Sequence, residues 1–338
     1  MSAPREPRRR ATVSRHIAFW LVIALQILTS VTGHAQPPDA PGSRLDHFAP
    51  VRERVSDMFV YSAAMNTVIR ARVLRAADPD TPAPTLYLLN GANGGIDGSW
   101  YDETDVAEFF RDKQVNVVIP IGGAGTYFTD WEHDDPLLGR PRWTTFLTRE
   151  LPPIVDTTLH GSGANAIAGI SMAGTSAFQL ALAAPGLYRA VGSYSGCVRT
   201  SDPQGQAFVA AVVARWRGNA FNMWGPAGDP AWPAHDPYLN AEGLRGTTIY
   251  ISSGTGAPGP LDTLQGTHDD PLQLTWQLLF GTPLEAIMNQ CTRALQARLH
   301  ELDIPATVDL RPTGTHSWGY WQEDLHHSWP AFESALTK

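Results

Sequence analysis

Short apolar runs bounded by turn residues alternate with longer segments of helical periodicity along most of the chain. Each run has five to seven residues, and several are apolar at nearly every position, which is typical of strands buried on both faces of a parallel sheet. Such alternation with short connections predicts an α/β protein with a doubly wound, mostly parallel sheet in a single domain. The predicted strands are 68–74, 85–89, 115–120, 164–168, 190–195, 247–253 and 307–311.

The strand at 164–168 leads into the segment Gly169-Ile170-Ser171-Met172-Ala173-Gly174, and the residues after the serine are rich in helix formers. A strand, a tight turn that carries serine and then a helix form the nucleophile elbow of α/β-hydrolases. The turn needs small residues two positions before and after the serine. Gly169 and Ala173 meet this need, although a second glycine is usual. This interpretation makes Ser171 the nucleophile and the Met172 amide one oxyanion donor.

A glycine-rich loop, Asn-Gly-Ala-Asn-Gly-Gly at positions 90–95, follows the strand at 85–89. It contains neither G-x-G-x-x-G nor the lysine of a P-loop, so a phosphate cradle is not indicated. In α/β-hydrolases a loop at this place supplies the second oxyanion amide, and we favour Ala92 as its donor.

A serine nucleophile needs a general base and an acid that orients it, and in this fold they follow in the order acid, then histidine. His316 lies in the loop after the last predicted strand, where the base is expected. The acid should come after the strand at 247–253, and the residues alone leave several candidates open. These are Asp262, Asp269, Asp270 and Glu285, of which the loop acids fit the topology better than a helical glutamate.

The N-terminus has the pattern of an export signal, with five arginines before the apolar run 17–28 and small residues at 33–35. We therefore expect a signal peptide at 1–35, a leader at 36–50 and a catalytic domain at 51–338. The run is shorter than the roughly 20 residues of a spanning helix, and no later run is longer. Removal of the signal, with its five arginines and one glutamate, takes the formal net charge from −8 to −12, which argues against nucleic acid as a partner.

Several longer motifs resemble the secreted mycolyltransferases of mycolic-acid bacteria, which are α/β-hydrolase acyltransferases of the esterase D group. The resemblance runs from about residue 85 to 321 and implies that Glu285 is the acid and that Ala92 and Met172 are the oxyanion donors. The motifs are Gly-Ile-Ser-Met-Ala-Gly-Thr-Ser from 169, Asp130-Trp131, 143–152, Gly-Asp-Pro-Ala-Trp from 228 and Thr-His-Ser-Trp-Gly-Tyr-Trp from 315.

The resemblance implies transfer of a mycolyl group from trehalose monomycolate to a sugar acceptor, either a second trehalose monomycolate or arabinogalactan. The family's best-known members carry an arginine of the sugar site after the second strand, where this chain has Asn93. This departure from the family pattern weakens the case for trehalose as the acceptor. We expect substrate contacts from Asn93, Asp130, Trp100 and Trp318, since indoles in loops near strand ends often pack against sugars. The alternatives are a secreted carboxylesterase and a non-catalytic wall-binding relative.

The chain has two cysteines, Cys197 and Cys291, both in the exported part. An even pair in an oxidising compartment favours a disulfide. If Glu285 reaches His316, the helix that carries Cys291 packs over the edge of the sheet near Cys197, which brings both thiols together. The histidine and acidic clusters have no metal-ligand spacing, so neither a metal nor another cofactor is expected.

Overall fold

The computed structural model describes residues 42–267 and 269–338. The predicted signal peptide at 1–35 lies outside these residues, as does the first part of the predicted leader. Within the described part, nine strands form a single sheet. They are β1 (Arg44–Arg52), β2 (Val55–Ser62), β3 (Thr67–Leu74), β4 (Ala83–Leu89), β5 (Asn116–Ile121), β6 (Gly161–Ile170), β7 (Tyr188–Tyr194), β8 (Thr248–Ser253) and β9 (Thr307–Leu310).

The strand order is β1-β2-β3-β5-β4-β6-β7-β8-β9. The first three strands form an antiparallel meander, and β3 pairs antiparallel with β5. From β5 to β9 all neighbouring strands are parallel. This arrangement confirms the predicted α/β fold with a mostly parallel sheet.

The first strand corrects the predicted leader. Residues 44–50 belong to β1, which pairs with β2 at the edge of the sheet. Most of the β1 side chains are exposed, so its sequence lacks the apolar run that marks the inner strands. Polar and proline residues on an edge strand are a common way to discourage pairing with other chains. Because such a composition resembles that of a loop, the sequence pattern predicts a leader here instead of a strand.

Eleven α-helical segments connect and cover the described strands. Five-residue π-helical turns at Phe146–Glu150 and Gln277–Gly281 run directly into α4 and α10, and each of those helices has proline in its first turn. The helices are α1 (Trp100–Glu103), α2 (Val106–Phe109), α3 (Trp143–Thr145), α4 (Leu151–Leu159), α5 (Met172–Ala183), α6 (Pro203–Arg215), α7 (Ala220–Trp224), α8 (Ala231–Ala234), α9 (Pro271–Trp276), α10 (Thr282–Glu301) and α11 (Trp318–Leu336).

Two apolar clusters form the core, one on each face of the sheet. Tyr87 and Leu89 of β4 belong to the cluster that includes α4, α5 and α10, whereas Leu86 and Leu88 belong to the one that includes α11. Because successive side chains of a strand point to opposite faces, a strand covered by helices on both faces must be apolar throughout. This burial fixes the sheet and leaves the carboxyl ends of β4, β6, β7, β8 and β9 to carry polar groups. None of the described helices is long and apolar enough to cross a membrane.

Candidate active site

Ser171 joins β6 to α5 in a strained turn. Its backbone has φ 54° and ψ −125°, which is rare for a residue with a side chain. A Cβ added to Gly169 would lie 2.3 Å from the carbonyl oxygen of Ala173, so only glycine fits two positions before the serine. The strand, strained serine and helix thus have the geometry of a nucleophile elbow, and the serine lines a cavity.

His316 and Glu285 form a buried hydrogen-bonded pair. The Nδ1 atom of His316 lies 2.7 Å from Oε2 of Glu285, and the glutamate side chain has no exposed surface. Because a carboxylate only accepts, Nδ1–H is the donor and Nε2 is left as an acceptor. Nε2 is buried and has no hydrogen-bond partner among the described residues. The pair therefore presents an imidazole nitrogen that can take a proton.

The loop acid Asp262, one of the candidates left open by the sequence, is engaged elsewhere. Its Oδ1 accepts from Gln277 Nε2 and Thr315 Oγ1, each at 2.5 Å, and its Oδ2 accepts from Tyr320 Oη at 2.8 Å and Gly259 N at 2.7 Å. These bonds tie together the loop before α9 and the start of α11. Of the open candidates, Glu285 is the one that the structure brings to His316.

Two neutral groups bind the other oxygen of the glutamate. Oε1 of Glu285 accepts from the amide of Gly254 at 2.6 Å and from the hydroxyl of Ser195 at 2.8 Å. The indole N–H of Trp321 in turn donates to Ser195 Oγ at 3.0 Å. Burial of a carboxylate costs several kcal/mol, and these donors offset that cost. Ser195 also has a positive φ of 53°, so a second strained serine lies at this end of the sheet.

Sequence reasoning did not find Ser195 or Gly254. Ser195 directly follows β7 and Gly254 directly follows β8, and that position at the carboxyl edge is the only signal that could have singled them out. Their roles depend on α10 passing over the edge of the sheet, which local sequence does not encode.

The cavity beside these groups has a volume of about 510 Å³ and is mainly apolar. Ser171, Met172, Ala92 and His316 lie on its lining, so the predicted nucleophile, base and oxyanion residues share one space. The loop that carries Ala92 is fixed by a bond from Gly125 N to Ala92 O at 3.0 Å and one from Gly122 N to Gly94 O at 2.8 Å. The apolar part of the lining comes chiefly from α6, α9, the π-helical turn and α10, through Phe208, Val209, Val212, Trp276, Phe280, Leu284 and Met288.

The structure divides the four predicted substrate contacts. Trp318 and Asn93 line the cavity. The Asn93 amide is nevertheless used within its own loop, where Nδ2 donates to the carbonyls of Asp97 at 2.6 Å and Gly98 at 3.1 Å. Its polar atoms are therefore largely committed to the loop, and the indole of Trp318 is the more available contact.

Trp100 and Asp130 lie outside the cavity lining, which corrects the prediction for both. Trp100 is fully buried in the core, where its ring packs edge-on against Trp318. Its indole N–H donates to Leu89 O at 3.0 Å. Both carboxylate oxygens of Asp130 accept from Thr145, at 3.0 Å from its amide and 2.6 Å from its hydroxyl. Asp130 therefore holds the first turn after Trp143 and is not aimed at a ligand.

The predicted disulfide is confirmed. Cys197 and Cys291 are bonded, with their Cα atoms 5.0 Å apart and a sequence separation of 94. Cys197 lines the cavity, and Cys291 lies on α10, the helix that carries Glu285. The bond thus fastens this helix to the loop after β7. Within the described residues, no group of three or more histidine, cysteine or acidic side chains is arranged to hold a metal ion.

Comparisons with known proteins identify relatives of the chain. A family model named Esterase and described as "Putative esterase" matches residues 62–332. The chain is 32% identical over 266 residues to the diacylglycerol acyltransferase/mycolyltransferase Ag85A of Mycobacterium leprae, which covers 75% of this chain and 76% of that protein. It is 31% identical to Ag85A of Mycobacterium tuberculosis over 75% of this chain and 74% of that protein.

Solved structures show the same fold. The structure of Mycobacterium tuberculosis MPT51 aligns with a TM-score of 0.70 and 25% identity, over 85% of this chain and 99% of that one. An S-formylglutathione hydrolase from Agrobacterium tumefaciens aligns with a TM-score of 0.59 and 17% identity, over 87% and 99% of the two chains. The second likeness shows the fold alone.

Proposed function

Because the chain belongs to the esterase family and is a relative of the Ag85 mycolyltransferases, we propose that it is an exported serine acyltransferase with Ser171, His316 and Glu285 as its triad. The observation that carries the proposal is the 2.7 Å contact between His316 and the buried Glu285, next to a cavity lined by the strained Ser171. A binding protein would not need this combination of strain and a buried carboxylate.

In the proposed reaction, Ser171 Oγ attacks the acyl carbonyl while His316 Nε2 accepts its proton. Glu285 stabilises the imidazolium, and the amides of Ala92 and Met172 stabilise the tetrahedral oxyanion. The imidazolium then protonates the departing alcohol, which leaves an acyl ester on the serine. In the second half, His316 takes the proton of an acceptor hydroxyl, whose oxygen attacks the ester carbonyl. The bond from the acyl carbon to Ser171 Oγ then breaks, and His316 returns the proton to that oxygen.

We propose a mycolyl ester, ideally trehalose monomycolate, as the acyl donor and a sugar hydroxyl as the acceptor, on a second trehalose monomycolate or on the arabinogalactan of a cell wall. The mycolyltransferase relatives support this choice, and so does an apolar cavity wall formed by Phe208, Trp276 and Phe280. Trp318, which follows His316 by two residues and lines the same cavity, is the residue that we place against the acceptor.

A second candidate is a carboxylesterase, in which water takes the place of the sugar. The observation that favours it is Asn93: this chain has no arginine at that point, and the Asn93 amide is bonded within its own loop. A sugar would therefore find few polar partners on that side of the cavity.

Mass spectrometry of the products formed from trehalose monomycolate separates these functions. Trehalose dimycolate, or a mycolylated glycan when one is added, is the expected product, and the Ser171→Ala protein should form none. Free mycolic acid alone would establish the esterase. Unchanged substrate together with no cleavage of short activated esters would mean that the chain is a non-catalytic relative.

Export to the cell envelope forms part of the proposal and rests on the arginines and apolar run of residues 1–35. The N-terminal residue of the protein recovered from the envelope or the medium tests it. A start near Gln36 is expected, and a start at Met1 would contradict it.

A further inference from the structure

Two fully buried carboxylates share one guanidinium behind the His316–Glu285 pair. The Nη2 atom of Arg311 lies 3.8 Å from Oε1 of Glu285, and its Nη1 donates to Oδ1 of Asp324. Both carboxylate side chains have no exposed surface, and that of Arg311 is 11% exposed. Arg311 comes directly after β9 and Asp324 lies on α11, so the cluster joins two elements that also position His316.

The contact between Arg311 and Glu285 is one of charge. A separation of 3.8 Å is too long for a hydrogen bond, and the glutamate oxygen already has two neutral donors. In a buried site the guanidinium still lowers the negative potential that Glu285 presents to the imidazole. Asp324 counters this, because its carboxylate neutralises part of the same guanidinium. The proposed proton transfer uses neither residue directly.

We propose that Arg311 and Asp324 are a pair of positioning residues that sets the charge felt by the His316–Glu285 pair. Arg311 makes the imidazolium less stable, and Asp324 restores part of its stability. The inference rests on the proposed function of His316 as the base. It concerns two side chains that touch neither the serine nor the cavity.

Burial raises the pKa of the Asp324 carboxyl to about 8, and the charge of Arg311 and a hydrogen bond from Ser252 oppose that rise. Asp324 counters the guanidinium only as a carboxylate, the form that the bond from Arg311 Nη1 favours. Other ionisable groups face this cluster from the neighbouring elements and stay unchanged in the experiment below. They are Tyr194 of β7, Tyr250 of β8, Asp309 of β9, Tyr320 and Glu323 of α11, Asp262 of the loop before α9, and His327, which bonds Asp309 at 3.2 Å.

The sign of each expected change follows from electrostatics. Loss of the positive charge in Arg311→Gln stabilises the imidazolium, so the His316 titration and the acid limb of kcat/KM move to higher pH. Loss of the negative charge in Asp324→Asn destabilises the imidazolium, and both move to lower pH. For charges one side chain away from the titrating ring, each shift should be about half a pH unit, which is about threefold in rate on the acid limb.

Two measurements test the pair. The first is the NMR titration of the His316 imidazole, assigned with His316→Gln, and the second is the pH profile of kcat/KM on a soluble activated ester. Opposite shifts for Arg311→Gln and Asp324→Asn are expected, with Arg311→Lys restoring most of the parental midpoint. Shifts in the same direction, or a shift for only one variant, would overturn the proposal.

The matched controls come from a second partly buried ion pair at the far edge of the sheet, Arg72–Asp57, with its atoms 2.6 Å apart. Arg72→Gln and Asp57→Asn should lower stability without moving the His316 midpoint. If Arg311→Gln does not fold, the Asp324→Asn variant alone tests the proposal. An unchanged His316 midpoint in that variant would overturn it. The NMR titration needs no turnover, so a parent protein inert towards esters would refute the proposed function and leave this test intact.

Discussion

The two sides of the cavity differ in how firmly their side chains are held. On the acid side, Glu285 is fully buried, accepts three hydrogen bonds and lies beside a guanidinium. On the acyl side, formed by Phe208, Val212, Trp276, Phe280 and Leu284, the contacts are apolar. There Trp276 is 57% exposed and Phe280 is 56% exposed.

This difference separates chemistry from substrate choice. Proton transfer needs groups held within a few tenths of an ångström, and a network of buried bonds provides that. An apolar wall imposes no such geometry, so it can accept chains of different lengths. In our account, changes on the acid side therefore alter the rate with every ester, and changes on the acyl side alter which esters are used.

The largest effect is expected for Ser171→Ala. Removal of the nucleophile of such a triad lowers kcat on the order of a million-fold. The melting temperature should be unchanged or higher and the circular dichroism spectrum should be unchanged, because alanine fits the same turn. Substantial hydrolysis of a short activated ester by the purified variant would refute Ser171 as the nucleophile.

The next effect distinguishes Glu285 from the loop acid Asp262. Glu285→Gln should lower kcat by about 10³–10⁴-fold, because the amide cannot stabilise the imidazolium. Asp262→Asn is the matched control and should cost less than about tenfold, since Asp262 bonds Thr315 and Tyr320 but not the ring. A nearly active Glu285→Gln beside an inactive Asp262→Asn would reverse the assignment.

A smaller, selective effect is expected on the acyl side. Phe280→Ser should lower kcat/KM for long-chain esters by about tenfold, because loss of a phenylalanine contact costs one to two kcal/mol. Acetate and butyrate esters should be cleaved as before. Phe221→Ser, which removes a phenylalanine of similar exposure (58%) outside the cavity, is the control. Equal losses with short and long esters would contradict the division between the two sides.

The smallest effect on rate is expected from the disulfide, which fastens the acid helix α10 to the loop after β7. The chain-entropy model gives about 4–5 kcal/mol for a bond across 94 residues, less any native strain. Mild reduction should lower activity severalfold while circular dichroism is still native. If activity and structure were lost at the same reductant concentration, the bond would serve stability alone.

The sequence predicts the inner sheet well, because a strand covered by helices on both faces must be apolar along its length. The same rule does not identify β1, whose side chains are mostly exposed. The elbow is recognisable because its turn requires small residues at positions 169 and 173. In the structure, the backbone of Ala173 lies so close to Gly169 that a side chain at Gly169 would collide with it.

Tertiary contacts set the limit for the site. Trp100 and Asp130 resemble ligand contacts in sequence, yet the core covers one and Thr145 binds the other. Ser195 and Arg311 meet Glu285 only because α10 crosses the carboxyl edge of the sheet, 90 residues after Ser195 in the chain. No local pattern records that crossing, and only the family resemblance, not the neighbouring residues, points to Glu285.

Labelling with a fluorophosphonate probe tests directly whether Ser171 is an activated nucleophile. Such a probe forms a stable bond only with a serine that a base activates, and peptide mass spectrometry locates it. We predict one adduct per chain, on Ser171, formed far more slowly in His316→Ala and Glu285→Gln. No adduct in the folded protein, or an adduct on Ser195 or another residue, would contradict the account.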